Sequence, residues 1–191
     1  MKNYIKPRDY IIACDSGVNH LSELGILPNL IVGDFDSYRD TLDYSCEIIT
    51  LPVEKDETDS FFAIKQAISR GYDEITLLGG TGRRFDHTMA NISALCFIKS
   101  QGAFGEIIDD YGRYFVLDGD TAVIKRGECQ YFSIIPLTFE LHGITITGAK
   151  FPLKNADADM NYLYTTSNEI VENECKISIK SGKAIVFLAV D

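Results

Sequence analysis

Continuous apolar runs alternate with amphipathic segments through the first hundred residues of the chain. The runs are YIIAC (10–14), NLIVG (29–33), EIITL (47–51) and EITLLGG (74–80), and each stops at Asp, Pro or Gly. Such runs are typical of strands that are buried on both faces of a parallel sheet. The alternation of strand-like and helix-like segments predicts an α/β layer with right-handed crossovers.

Two helices are predicted between these runs. The first extends from Ser60 to Arg70, with Thr58 or Asp59 as its N-cap. The second extends from about Asp86 to Lys99. Its inward-facing side chains are predicted to be those of Met89, Ile92, Leu95 and Cys96.

The pattern changes from about Gly105. Short β-branched and aromatic segments such as YFVLDGD, TAVIKRG and QYFSIIPL follow one another, with turn residues between them. This pattern predicts an antiparallel β-sandwich. The predicted fold class is therefore α/β plus all-β. We expect a mostly parallel α/β domain at 1–104 and a C-terminal antiparallel β-sandwich domain at 105–191.

Composition narrows the possible partners and the cellular compartment. The formal net charge of −10 argues against a DNA or RNA backbone as partner, because such binding depends on Lys and Arg. The five cysteines are scattered without a CxxC pair, so neither a disulfide framework nor a zinc site is indicated. No 18-residue apolar run and no apolar leader occur, so we expect a cytoplasmic protein without membrane contact.

Acidic residues follow the predicted strands. Asp34 and Asp36 lie in GDFDS, and Asp56 and Asp59 lie in KDETD; Asp15 and Asp86 also follow apolar runs. Ligands of open α/β sheets bind outside the carboxyl ends of the strands, where these loops meet. Two carboxylates about 4 Å apart repel by about 4 kcal/mol at an effective dielectric of about 20, so a cluster requires a cation. Taken singly, each Asp is better explained as an N-cap or turn residue, whereas together they predict a Mg²⁺ and phosphate site.

A second candidate element is the loop GGTGRRFDH at 79–87. Its glycines would let backbone N–H groups approach phosphate oxygens, and Arg83 or Arg84 can form charge-assisted hydrogen bonds. Arg84 and Asp86 alternate, which could place a cation and a carboxylate on the same side. A tight strand-to-helix turn without ligand is the alternative, because the loop matches neither common phosphate-loop pattern.

Four ordered motifs resemble the thiamine pyrophosphokinase family in its small bacterial form. CDSGVNHL (14–21) is similar to the family's ADGGANxL, GDFDS (33–37) is identical to its second motif, KDETD (55–59) matches KDxTD, and GGTGRRFDHTMAN (79–91) matches GGxGxRxDHxxxN. In the second half, FSIIP (132–136), ITGAKFPL (146–153) and SNE (167–169) are similar to weaker family motifs. Ser16 and Val18 depart from the first motif, and Arg83 has no fixed family role.

The resemblance implies a two-domain homodimer that transfers a pyrophosphoryl group from ATP to the hydroxyl of thiamine and releases AMP. The implied Mg²⁺ ligands are Asp34, Asp36, Asp56 and Asp59. The implied ATP-binding residues are Asp15, Asn19, Lys55, Thr81, Gly82, Arg84 and His87, and thiamine would meet Ser167 and Asn168. The catalytic group would comprise Asp34, Asp36, Asp59, Arg84 and Asp86, in which either Asp59 or Asp86 accepts the hydroxyl proton.

Three alternatives share the same acidic motifs. The first is a pyrophosphokinase of the same type that acts on a pterin alcohol, and the second is a metal-dependent phosphohydrolase built on the DFD pair. The third is a nucleotide-binding module without turnover. Release of AMP with each acceptor distinguishes them, since only a pyrophosphokinase produces AMP in an acceptor-dependent way.

Overall fold

The computed structural model describes residues 2–34, 45–54 and 56–190 of the chain. It divides into two compact units, Met1–Tyr72 and Asp73–Asp191. Asp36 and Lys55, which the sequence predicts as site residues, lie outside the described residues. Within the described residues, no helix is both long and apolar enough to cross a bilayer.

The described part of the first unit contains three parallel strands and two α-helices. Its elements after a 3₁₀ helix at Lys2–Tyr4 are β1 (Ile12–Cys14), α1 (Gly17–Glu23), β2 (Leu30–Gly33), β3 (Glu47–Thr50) and α2 (Asp59–Ser69). The strand order is β1-β2-β3, and both pairings are parallel. Parallel pairing brings the carboxyl ends of β1 and β2 to one edge of this sheet.

The central strand β2 is buried on both faces, as its apolar run predicts. Ile31 packs with Val18 of α1 on one face, and Val32 packs with Ala63 of α2 on the other. The prediction is wrong for β3, where Ile48 is 40% exposed. Since β3 lies at an edge of this three-stranded sheet, its apolar composition reflects strand propensity more than burial.

The second unit is rich in strands. Its elements are β4 (Glu74–Leu78), α3 (Phe85–Ser100), β5 (Phe104–Ile108), β6 (Gly112–Asp118), β7 (Thr121–Lys125), β8 (Tyr131–Pro136), β9 (Glu140–Thr147), β10 (Leu153–Asp159), β11 (Glu174–Ser178) and β12 (Lys183–Ala189). One sheet has the order β4-β5-β6-β12-β8 and the other β10-β9-β11-β7. Side chains from both sheets, including Phe132, Leu141, Ile177 and Val186, form one apolar core.

The predicted combination of α/β and β-rich parts is thus confirmed in general, with two differences in detail. Strand β4 is parallel to β5 and lies in a sheet with the later strands, although its apolar run suggests the first sheet. In α3, Leu95 is buried as predicted, but Met89 is 44% exposed. The apolar residues of this helix are distributed over several of its faces, so periodicity alone does not identify the face that packs against the protein.

Candidate active site

The carboxyl ends of β1 and β2 bring two predicted site residues together. Asp15 follows β1, and its backbone N–H donates to the Val32 carbonyl of β2 at 3.0 Å. A Cβ atom added to Gly33 would lie 2.4 Å from Asp15 Oδ1. The Asp15 carboxylate therefore lies directly against the backbone of Gly33, the residue that precedes Asp34. Glycine at position 33 is needed for this close approach.

The backbone of Asp15 adopts the left-handed conformation, with φ of 44°. Only Asp15, Asn155 and Ser167 among the described non-glycine residues have a positive φ. Such conformations cost about 1–3 kcal/mol each and occur frequently at functional sites. Two of these three positions, Asp15 and Ser167, are residues that the sequence analysis assigns to substrate binding.

Asp59 reaches the same region from α2. Thr58, rather than Asp59, caps this helix, because Thr58 Oγ1 accepts the Phe61 N–H at 3.2 Å. The Cys14 thiol contacts the Asp59 carbonyl at 3.8 Å. Burial raises the pKa of Cys14 to about 12, and the nearby negative charges of Asp15 and Asp59 add to the shift. Asp15 and Asp59 therefore both lie close to Cys14, the last residue of β1.

The donors at this edge fit a hard divalent cation. Mg²⁺ usually takes one or two carboxylates and completes its shell with water and phosphate oxygens, so a full protein cage is not needed. Asp34 directly follows β2, Asp59 begins α2, and Asp56 is exposed in the loop before α2. In the described ranges, no group of three or more His, Cys, Asp or Glu side chains is arranged to hold a metal ion. Asn19 is exposed on α1, one turn beyond Asp15.

The glycine-rich loop of the second unit connects β4 to α3 and is held by its own polar contacts. Thr81 donates its hydroxyl hydrogen to Asp109, and the Asn91 amide donates to the Gly80 carbonyl at 2.7 Å. The Gly82 N–H donates to Thr88 Oγ1 at 3.3 Å. The loop is therefore shaped before any phosphate binds. Sequence reasoning did not assign roles to Asn91, Thr88 and Asp109, although Asn91 ends the fourth motif.

Arg84 and Asp86 form an ion pair at the start of α3. Arg84 Nε lies 3.2 Å from Asp86 Oδ1, and Arg84 Nη2 lies 2.5 Å from Asp86 Oδ2. The hydrogen bonds from Arg84 lower the pKa of Asp86, so Asp86 is ionised at neutral pH. Both side chains are about two-thirds exposed, which makes this pair weak and exchangeable. A phosphate group can therefore replace Asp86 as a partner of Arg84, and His87 is exposed beside the pair.

The predicted thiamine-binding residues lie in the turn that precedes β11. Ser167 has φ of 56° and donates its backbone N–H to Ser133 Oγ at 3.0 Å. Asn168 is buried, and its amide forms two hydrogen bonds to the backbone of Phe151, at 2.8 and 3.0 Å. The Ser167 side chain is exposed at this turn, whereas the Asn168 side chain is directed into the protein.

Comparison with known proteins identifies the family. The model described as "Thiamin pyrophosphokinase, catalytic domain" matches residues 1–103, and the model described as "Thiamin pyrophosphokinase, vitamin B1 binding domain" matches residues 121–186. The chain is 29% identical to the thiamine pyrophosphokinase of Bacillus subtilis over 186 residues, which cover 94% of this chain and 87% of that protein.

Solved structures agree with this match. A crystal structure of thiamine pyrophosphokinase from Bacillus subtilis has a TM-score of 0.92 at 27% identity, and the superposition covers 100% of this chain and 92% of that one. The thiamin pyrophosphokinase of Geobacillus thermodenitrificans has a TM-score of 0.88 at 27% identity, covering 100% and 90%. The chain therefore belongs to the thiamin pyrophosphokinase family.

Proposed function

We propose that this chain is an enzyme that transfers a pyrophosphoryl group from ATP to the hydroxyl of thiamine, giving thiamine pyrophosphate and AMP. The observation that carries the proposal is the match of two family models in order, a catalytic one over residues 1–103 and a vitamin B1 binding one over residues 121–186. The second match also favours thiamine over a pterin alcohol as the acceptor, because that family model describes the domain that binds vitamin B1.

The two predicted domains are part of this proposal. Residues 1–104 are assigned to an α/β domain that binds ATP and Mg²⁺, and residues 105–191 to a β-sandwich domain that binds thiamine. The matched ranges of the family models support this division. The parallel pairing of β1, β2 and β3 and the apolar core between Phe115 and Leu188 support the architecture, whereas β4 pairs with β5 across the proposed boundary.

In the proposed reaction, the thiamine hydroxyl oxygen attacks the β-phosphorus of ATP. A bond from that oxygen to phosphorus forms, the bond from the β-phosphorus to the bridging oxygen of AMP breaks, and AMP leaves with the electron pair. The hydroxyl proton goes to a carboxylate, and Asp59 and Asp86 are the two candidates. Most of the rate enhancement in such transfers comes from positioning and charge stabilisation rather than covalent chemistry.

Each group of residues has a proposed role in this transfer. Asp34, Asp36, Asp56 and Asp59 would hold Mg²⁺, which when bound neutralises charge on the phosphate oxygens. Arg84 balances the charge that develops on the transferred group, after leaving Asp86. The nucleotide would be bound by Asp15, Asn19, Lys55, Thr81, Gly82, Arg84 and His87. Convergence of Asp15, Asp34 and Asp59 at one sheet edge supports this assignment.

We also propose that the enzyme is a cytoplasmic homodimer whose thiamine cleft is completed by the second subunit. Large exposed apolar side chains support a partner surface near the Ser167 turn: Met160 (50% exposed) and Tyr162 (72% exposed) precede the turn in sequence, and the backbone of Phe151 (59% exposed) is hydrogen-bonded to Asn168. All five cysteines are free of disulfide bonds, which suits a reducing compartment.

The test is acceptor-dependent AMP formation. Purified protein is incubated with ATP and Mg²⁺ and with thiamine, a pterin alcohol or no acceptor, and AMP is measured. We expect AMP only with thiamine. Asp34→Asn should abolish the reaction, and Asp9→Asn, which changes an exposed carboxylate of the same unit, should retain it. Orthophosphate or pyrophosphate release without acceptor would instead indicate a phosphohydrolase, and ATP binding without AMP would indicate a non-catalytic module.

A further inference from the structure

Two polar side chains are fully buried among the described residues, and they lie on either side of Ser167. Thr165 is 5% exposed and Asn168 is 6% exposed. Burying a hydroxyl or amide costs free energy unless it is hydrogen-bonded. Thr165 donates its hydroxyl hydrogen to the Ile134 carbonyl. The Asn168 amide donates to the Phe151 carbonyl at 2.8 Å and accepts the Phe151 N–H at 3.0 Å.

Backbone hydrogen bonds attach the same segment to strand β8 at both ends. The Ile134 N–H donates to the Thr165 carbonyl at 2.8 Å. Asn168 and Phe132 exchange two hydrogen bonds, both of 2.9 Å. Ser167 lies between these two fixed points. The turn therefore has little freedom to relax, because each neighbour of Ser167 that is buried is also bonded to β8.

Ser167 itself has the conformation that needs such support. Its φ of 56° is in the left-handed region, which non-glycine residues avoid. Its N–H donates to Ser133 Oγ at 3.0 Å. Residues in such conformations persist only where the surrounding structure determines them, and they are concentrated at functional sites.

The Asn168 amide is used by the protein. Its Oδ1 accepts the N–H groups of Phe151 and of Glu169, the latter at 2.9 Å. The amide thereby fixes the backbone at Phe151 beside the Ser167 turn. The residues next to Phe151 and Asn168 also pair with each other, because Lys150 Nζ lies 2.6 Å from Glu169 Oε1.

We propose that Thr165 and Asn168 are positioning residues that hold Ser167 and the backbone of Phe151 in the geometry that thiamine requires. This inference rests on the proposed function. Asn168 then acts through Ser167 and Phe151 rather than by touching thiamine. The turn is already ordered in the folded protein, so thiamine binding does not have to offset the conformational entropy lost on ordering it.

The experiment compares four variants by steady-state kinetics and by unfolding midpoint. Thr165→Val removes the hydroxyl at nearly constant volume, and Thr165→Ser restores it. Asn168→Asp keeps the Oδ1 acceptor but replaces the amide donor to the Phe151 carbonyl with a second acceptor oxygen. Thr145→Val is the matched control, because Thr145 Oγ1 accepts one backbone N–H, from Asn155 at 3.1 Å, elsewhere in the same unit.

We expect Thr165→Val and Asn168→Asp to raise KM for thiamine about tenfold, because a displaced contact weakens binding steeply. KM for ATP should stay within about twofold, and Thr165→Ser should recover the wild-type KM for thiamine. Thr145→Val should lower the unfolding midpoint without changing KM for thiamine.

Three results would overturn the inference. One is a wild-type KM for thiamine in both Thr165→Val and Asn168→Asp despite lowered unfolding midpoints, which would show that the hydrogen bonds serve the fold alone. Another is an equal rise of KM for ATP and thiamine. If wild-type protein forms no AMP with thiamine, the proposed function itself fails and the inference fails with it. Should Thr165→Val not fold, Asn168→Asp still decides the question.

Discussion

Replacing Gly33 by Ala is expected to impair ATP use through Asp15 while leaving the fold intact. The added Cβ would lie 2.4 Å from Asp15 Oδ1 and 3.4 Å from Asp15 Cγ. Since Cβ atoms essentially never approach other heavy atoms within 3.0 Å, the carboxylate must move by about 0.6 Å. The obstructing atoms belong to the end of a side chain, so the movement is inexpensive for the fold.

The size of the kinetic effect follows from this displacement. A misplacement of about 1 Å can lower a rate about a hundredfold. In proportion, a shift of about 0.6 Å corresponds to a loss of about fifteenfold, or about 1.6 kcal/mol at 1.36 kcal/mol per factor of ten. We expect this loss in kcat/KM for ATP at saturating thiamine. The free energy of unfolding should change by less than about 1 kcal/mol.

Two further glycines provide controls. At Gly17, in the motif that contains Asp15, an added Cβ meets nothing within 4 Å, so Gly17→Ala should behave as wild type in the AMP assay. At Gly80 the Cβ would lie 2.9 Å from Cγ2 of Ile107, which is fully buried, so Gly80→Ala should lower stability by about 1–3 kcal/mol. A Gly33→Ala enzyme with wild-type kcat/KM for ATP would refute the placement of Asp15 at the nucleotide. If Gly33→Ala lost as much stability as Gly80→Ala, the clash at Gly33 would affect the fold and not only the position of the Asp15 carboxylate.

Three other outcomes are expected. Folding raises the pKa of Cys14 from 9.0 to about 12, so between these pH values the folded protein keeps a proton that the unfolded chain loses. The contribution of Cys14 to the free energy of unfolding is therefore fully present below pH 9 and is lost between pH 9 and about 12. In urea unfolding, wild type should therefore lose about 2 kcal/mol more stability than Cys14→Ser between pH 8 and pH 10.5, and equal losses would contradict the assignment. Thr58→Ala should lower the free energy of unfolding by about 1 kcal/mol because the Phe61 N–H loses its acceptor, whereas Thr58→Ser should not, and an unchanged urea midpoint in Thr58→Ala would contradict the cap. Excess EDTA should stop AMP formation and added Mg²⁺ should restore it, so turnover that persists in EDTA would rule out the metal proposal.

Local chemistry made much of the first unit predictable. The apolar run of β2 predicts a strand that is buried in a parallel sheet, and the Asp residues after β1 and β2 predict a ligand site at the carboxyl ends of these strands. The cap of α2 was restricted to two neighbouring residues, and Thr58 is the one used. In each case the determining interaction lies within a few residues or between adjacent strands.

Interactions between distant residues were not predictable in the same way. No local pattern indicates that β4 pairs with β5 or that the edge strand β3 leaves Ile48 exposed, since both depend on the order of strands in the sheets. The resemblance of SNE (167–169) to a family motif implies that Asn168 binds thiamine, whereas the structure directs its amide to the protein backbone. Its partner, the Phe151 backbone, is 17 positions away and becomes visible only once the strands are assembled.

The pairing of β4 with β5 has a practical consequence for chimeric enzymes. Exchange of parts between relatives at the 104/105 boundary would separate Glu74–Leu78 from Phe104–Ile108, which are joined in register over five residue pairs. The chimera would then pair β4 of one parent with β5 of the other, and Ile107 and Ile108, which are buried in this protein, would have to pack against a strand of different sequence. A crossover after Tyr72 takes β4 and β5 from the same parent, together with the glycine-rich loop and the Ser167 turn.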